Sequence, residues 1–195
     1  MKNYDIIKQK GATMSLAAIL NYTYEDYAKW EGEWELIEGV PVSMAPAPMR
    51  IHQNIATEIL FALKSTLDEE SCPECILSYE NDWKVNEETL LRPDIVLACE
   101  DEHEAYLTKA PKLIVEILSP STAKKDETIK FDIYEAEGVQ YYILVYPDDL
   151  KAKVYSLKDG KYIKVGDYTH EVLDFEDITC SMSLDFAQVF KKFRK

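Results

Sequence analysis

A chain of 195 residues, 47% hydrophobic and with only six glycines and eight prolines, can bury a real core and is too apolar to be disordered. Its formal net charge of −14 works against a general nucleic-acid-binding surface, because phosphate contacts come from Lys and Arg. No apolar run approaches the roughly 18 residues of a membrane span, and the opening MKNYDIIKQK lacks the apolar centre of a signal peptide, so the expected compartment is the cytoplasm.

Thr23 with Asp26 resembles a capping box that opens a short helix, YEDYAKWE. WELIEGVPVSM reads as two strands around Glu38-Gly39, and the prolines of APAPM predict an extended segment. A helix is expected over about 51–68, where Ile51, Ile55, Ile59, Leu63 and Leu67 recur every fourth residue. His52 falls inside that stripe and is expected to point at whatever the helix covers, either as a satisfied core residue or as a proton carrier at a site.

Strands are predicted at about 75–79, 83–85, 90–98 and 112–118. A second helix should then run from about Thr122 to Glu137, with SPST supplying caps and Gly138 the stop. VQYYILVY reads as another apolar strand, LKAKVYSL and KYIKV flank KDG like a hairpin, and SLDFAQVFKKF reads as a terminal helix. With no repeat or linker, residues 1–195 are expected to form a single α/β domain. Cys72 and Cys75 form a C-x-x-C between a helix and a strand, while Cys99 and Cys180 stand apart. Without a second close-spaced pair the four read as free thiols.

The stretch PKLIVEILSPST sets Glu116 among five aliphatic residues, and an unpaired carboxylate there would cost several kcal/mol or more to bury. LRPDIVLAC places Asp94 at the entry to another apolar strand, and the short connection allows the two strands to be antiparallel neighbours. Same-face partners then lie about 5 Å apart at Cβ, so two carboxylates would converge. A divalent cation resolves their repulsion, and the carbonyl of Ile117 offers a further oxygen. On the second helix Asp126, Lys130 and Tyr134 share one side, next to a face marked as buried by Ile129, Ile133 and Ala136. Lys130 can reach over the preceding strand. The alternative is an ordinary surface pair with Asp126.

RPDIVLA, PKLIVEILSPST and the D-x-x-x-K-x-x-x-Y-x-x-x-G-V-x-x-Y run from Asp126 through Tyr142 resemble the Uma-type restriction endonuclease family, part of the PD-(D/E)xK superfamily. The TYEDYAKWEGEWELIEGVPVSM start and the His52 helix look similar too, so the resemblance covers roughly residues 22–190. It implies a restriction-endonuclease-like fold, a mixed central β-sheet flanked by α-helices. Pro93-Asp94 would be the superfamily's PD and Glu116 its acidic partner. The sequence departs from Glu-x-Lys at Leu118, and the resemblance implies that Lys130 on the following helix takes over. His52 carries over as an auxiliary site residue, with Glu58 and Glu38 as weaker candidates.

The expected activity is a Mg²⁺- or Mn²⁺-dependent endonuclease acting on nucleic acid, DNA first. Asp94, Glu116 and Ile117 would hold the metal, and Asp94, Glu116, Lys130 and His52 would be the catalytic set. By analogy with two-strand cleavage, a homodimer is expected. The competing readings are a catalytically silent domain that binds nucleic acid or a protein partner, and a metal-free carboxylate-pair hydrolase such as a glycosidase.

Overall fold

The computed structural model describes residues 7–9, 12–14, 21–44, 49–67, 72–176, 178 and 180–194. Contacts divide the chain into one unit of residues 1–46 and 84–91 and another of residues 47–83 and 92–195.

In the first unit, β1 (Ile7–Gln9) and β2 (Ala12–Met14) form an antiparallel pair. The short helix α1 (Tyr24–Tyr27) opens on the expected capping box of Thr23 and Asp26. The strands β3 (Trp34–Ile37) and β4 (Val40–Ser43) pair antiparallel around Glu38 and Gly39, both at positive φ. After α2 (Arg50–Thr66) and β5 (Cys75–Tyr79), which belong to the second unit, the chain returns with β6 (Trp83–Asn86) and β7 (Thr89–Leu91). These strands form a sheet in the order β4-β3-β7-β6, with Leu36 and Leu90 buried as partners.

The strand expected over 90–98 is therefore two strands in two different sheets. Pro93 cannot donate a ladder hydrogen bond, and the break falls at Arg92-Pro93-Asp94. Of the APAPM segment, only Met49 lies among the described residues, and it is extended as expected, at φ −66° and ψ 151°.

The second unit continues with β8 (Ile95–Cys99), β9 (Leu113–Ile117) and β10 (Tyr141–Tyr146). They are followed by β11 (Lys151–Lys158) and β12 (Lys161–Tyr168). Six strands line up as β12-β11-β10-β9-β8-β5, antiparallel except for the parallel pair β9–β10, so this is the mixed sheet expected. Between β9 and β10 the chain is helical but not uniformly so: α3 (Ala123–Lys125), a π turn over Asp126–Lys130, and α4 (Phe131–Ala136). Gly138 at φ +86° ends the run, as a left-handed C-terminal stop requires. Ser119 and Thr122 of SPST cap the run reciprocally, as expected: Ser119 Oγ accepts the Thr122 amide at 3.3 Å and Thr122 Oγ1 accepts the Ser119 amide at 3.2 Å.

Alternation along the sheet builds two different layers. Ile95, Leu97, Leu113, Val115, Ile117, Ile143 and Val145 face one way and pack with Ile55, Ala56, Ile59 and Leu63 of α2 in one core cluster. The residues between them, Val96, Ile114, Glu116, Tyr142 and Leu144, are equally buried on the opposite face, where Tyr134 of α4 lies edge-on to Tyr142 at 5.0 Å. The end of the chain differs from the single helix expected there. Ser183–Asp185 is a strand, β14, paired with β13 (Val172–Asp174), and Asp185 then caps the short helix α5 (Phe186–Phe190) by accepting from the amides of Ala187 and Gln188.

The cysteines also differ from the free thiols expected. Cys72 pairs with Cys180 and Cys75 with Cys99 as disulfides. Cys75 and Cys99 are register partners on β5 and β8, and Cys180 comes from a segment 108 residues away from Cys72, so sequence spacing had no means of showing either meeting. No described helix is long and apolar enough to cross a membrane.

Candidate functional site

Asp94 stands one residue before β8. Extending the β8–β9 register by one step past its last pair, Ile95 with Val115, sets Asp94 opposite Glu116. The Asp94 carboxylate accepts the amide of Ile117 through Oδ2 at 2.6 Å, replacing the ladder bond that ends there. The same oxygen lies 3.1 Å from Nε2 of His52, in the first turn of α2. His52 is buried, as its place in the apolar stripe predicted. Burial is the largest single influence on its titration and favours the neutral ring. The hydrogen bond and charge of Asp94, with Glu80 and the Ile117 backbone, outweigh it, so the pKa is raised.

Glu116 approaches from the other layer. Its side chain is 5% exposed, and Oε1 accepts both Lys130 Nζ and the Tyr134 hydroxyl, each at 2.8 Å. Lys130 is as deeply buried and also lies 3.7 Å from Asp126 Oδ1, while the Tyr142 hydroxyl donates to the Asp126 carbonyl at 3.0 Å. The apolar positions of this helical run do not mark its buried face. Ile129 is 46% exposed and Ala136 is exposed, whereas Asp126, Lys130 and Tyr134 are buried. The expectation that Lys130 sits beside an apolar buried stripe is thus corrected: Lys130 belongs to the buried stripe, and that stripe is polar. It is tolerable there because Glu116 supplies the opposite charge and Tyr134 a further donor. The site residues on the helical run sit on both sides of the change in winding at the π turn, a feature that recurs where helices carry function.

The structure therefore joins His52, Asp94 and the Ile117 amide in one set of contacts and Glu116 with Lys130 in another, the two sets adjacent at the Glu116-Ile117 peptide. Two further residues join them. Tyr134 binds Glu116 directly. Glu80, at φ +48° after β5, donates its amide to the Asp94 carbonyl at 3.0 Å and adds its charge at His52. Tyr79 beside it is held protonated by burial, by its hydrogen bond with Glu80 and by the charges of Glu80 and Asp94. Spacing within the helix could have pointed to Tyr134, but no local pattern marks Glu80. The weaker candidates lie elsewhere: Glu58 pairs with Lys192 at 2.6 Å, and Glu38 occupies the β3–β4 turn of the first unit.

The donor set suits a hard divalent cation. Asp94, Glu116 and the Ile117 carbonyl offer only oxygens, as Mg²⁺ and Mn²⁺ prefer. With Asp126 and Glu80 nearby, carboxylates outnumber the cationic side chains Lys130 and His52. Asp94 is the more open carboxylate of the opposed pair, its side chain 15% exposed against 5% for Glu116.

Comparison with known proteins gives a family and a fold. No curated protein matches the chain. A solved structure, described as a putative nuclease belonging to DUF820 from Anabaena variabilis ATCC 29413, is similar with a TM-score of 0.69 and 20% sequence identity. The alignment covers 87% of this chain and 97% of that one, a likeness that establishes the fold. The family model Uma2, described as "Putative restriction endonuclease", matches residues 24–186. That match spans the strands of Asp94 and Glu116, the helices of His52 and Lys130, and most of the rest of the sequence, so the chain belongs to the Uma2 restriction endonuclease family.

Proposed function

We propose that this protein is a Mg²⁺- or Mn²⁺-dependent endonuclease that hydrolyses phosphodiester bonds in DNA, acting in the cytoplasm as a homodimer. One observation carries the reading: a buried glutamate, fixed by a lysine and a tyrosine, opposes an aspartate at the end of neighbouring strands in a chain of this family. Asp94, Glu116 and the Ile117 carbonyl would hold the ion. When bound it would polarise the scissile phosphate and lower the pKa of its water. Asp94 is fixed by the Ile117 amide and His52, so its carboxylate is aimed before any ligand arrives. Glu116 is aimed by Lys130 and Tyr134. Deep burial suits Lys130 to orienting Glu116 and offsetting charge next to the phosphate, as the displaced counterpart of the usual Glu-x-Lys lysine. His52, with its raised pKa, can present a proton or a positive ring to a phosphate oxygen near Asp94.

The test is cleavage of supercoiled plasmid and single-stranded DNA with Mg²⁺, with Mn²⁺ and with EDTA. Cleavage should need the metal and vanish in Asp94→Ala and Glu116→Ala, with circular dichroism confirming that both variants fold. Activity surviving in either variant would remove that residue from the site. Light scattering tests the dimer.

A second reading, a catalytically silent nuclease fold that binds nucleic acid or a protein partner, draws on the same pair. Glu116 already has a cation and a hydroxyl, so it is stable without metal. Calorimetry separates the two. Metal uptake that depends on Asp94 and Glu116 favours the enzyme, and no uptake favours the silent fold.

A further inference from the structure

All four cysteines meet at one place in the second unit. The Sγ atoms of Cys72, Cys75 and Cys180 lie within 4.8 Å of one another, and Cys99 bonds to Cys75. Two independent disulfides need only two separate meetings. Here the sulfurs of different pairs are also neighbours, which neither pairing requires.

The backbone explains the convergence. Cys72 and Cys75 enclose a tight turn, the Cys75 amide donating to the Cys72 carbonyl at 3.1 Å, which turns both side chains toward one side. Cys99 arrives on β8 as the register partner of Cys75, and Cys180 arrives from the segment before β14, its Cα 5.5 Å from that of Cys72. The two further ligands that a C-x-x-C zinc site needs are not close-spaced in the sequence, but Cys180 lies beside the pair and Cys99 is bonded to Cys75.

We propose that in the reduced protein these four thiols form a tetrahedral site for one Zn²⁺ ion. Zn–S bonds of about 2.3 Å place the sulfurs of such a site about 3.8 Å apart. Cys72, Cys75 and Cys180 already lie within 4.8 Å of one another, and Cys99, once released from Cys75, moves in as the fourth ligand. Binding releases four protons as the thiols become thiolates, and no electron is transferred. Cys72, Cys75 and Cys180 are buried, while Cys99 is half-buried and leaves a way in. All four donors are soft sulfurs, so the site selects Zn²⁺ over the Mg²⁺ or Mn²⁺ suited to the carboxylates. Its role would be structural, tying the turn before β5, the β5–β8 edge and the segment before β14 together. It is independent of whether the carboxylate site is catalytic.

The test uses the full chain, reduced anaerobically with a phosphine, desalted, and titrated with Zn²⁺ against a chromophoric chelator. Co²⁺ is titrated in parallel for the sulfur-to-cobalt charge-transfer and tetrahedral d–d bands. One Zn²⁺ per chain and both cobalt bands are expected. Cys180→Ser and Cys99→Ser should each weaken Zn²⁺ by at least about 100-fold, beyond what loss of an outer-sphere partner costs. Asp94→Ala should leave it unchanged. The proposal is overturned if the reduced wild-type chain takes up no Zn²⁺, or if Co²⁺ gives no charge-transfer band. Uptake that follows Asp94 and not the cysteines would overturn it as well. The cobalt spectrum is read on wild type, so a variant that misfolds does not spare the proposal.

Discussion

The two longest helical runs among the described residues cover opposite faces of the same sheet by opposite means. α2 buries the residues its pattern announces: Ile55, Ala56, Ile59 and Leu63 pack on the sheet, and His52 is the one buried residue that breaks the stripe. The run from Ala123 to Ala136 buries Asp126, Lys130 and Tyr134 and leaves Ile129 largely in solvent. The first is held by removing apolar surface from water, a contribution that needs no particular partner. The second is held by charge and hydrogen bonds, which stabilise it only while each partner is present. A helix whose pattern disagrees with its burial therefore points to a site, because a polar stripe inside a core is kept in place by specific partners.

The largest expected effect separates these two modes. Lys130→Ala leaves Glu116 and Asp126 buried without their common cation and should cost about 3–5 kcal/mol in urea unfolding. Replacing the closer pair together, Lys130→Met with Glu116→Leu, should recover the part of that loss due to Glu116, Asp126 still lacking its cation, while abolishing any cleavage. A cost below about 1 kcal/mol for Lys130→Ala would mean that the polar stripe does not hold the helix as described. Leu63→Ala on α2 should cost about 2–5 kcal/mol, whatever its neighbours' charge, and should leave Kd for metal unchanged.

Tyr134→Phe keeps the ring packing on Tyr142 and removes one hydrogen bond to a carboxylate. A loss of about 1.5–3 kcal/mol is expected, with no change in the far-ultraviolet spectrum. For His52, nuclear magnetic resonance on metal-free protein should find a pKa above the ordinary 6.5, falling toward it in Asp94→Asn. The sign follows from linkage. A raised folded-state pKa contributes stability that is full below 6.5 and is lost as pH rises through the folded value. The smallest effect belongs to Ile129→Gln, which should stay within about 0.5 kcal/mol. A larger loss would show that Ile129 is packed after all.

Much of the fold was legible. The β3–β4 turn at Glu38-Gly39, the stripe of α2, β5 to the residue, and the β11–β12 hairpin through Asp159 and Gly160 all follow from local chemistry. Asp94 and Glu116 could be singled out because each is a charge in an apolar strand, and Lys130 because the resemblance required a lysine there. Other features were misread wherever local pattern and long-range contact disagree. Pro93 split one expected strand into two sheets, and SLD joined β13 as a strand because a partner was available to it. The π turn set a polar face inward, and Glu80 entered the site from a turn no pattern marks.

By itself the sequence determined which segments are strands and helices over most of the chain, because turn chemistry and apolar periodicity act within a few residues. It also determined that Glu116 needs a partner, because the cost of burying a charge does not depend on knowing the fold. Only the tertiary structure decided which partner that is, and that Cys72, Cys75 and Cys180 cluster while Cys99 meets Cys75. Those meetings join segments separated by as much as 108 residues. They are set by register and by which elements pack together, and neither is written in the spacing of the residues that meet.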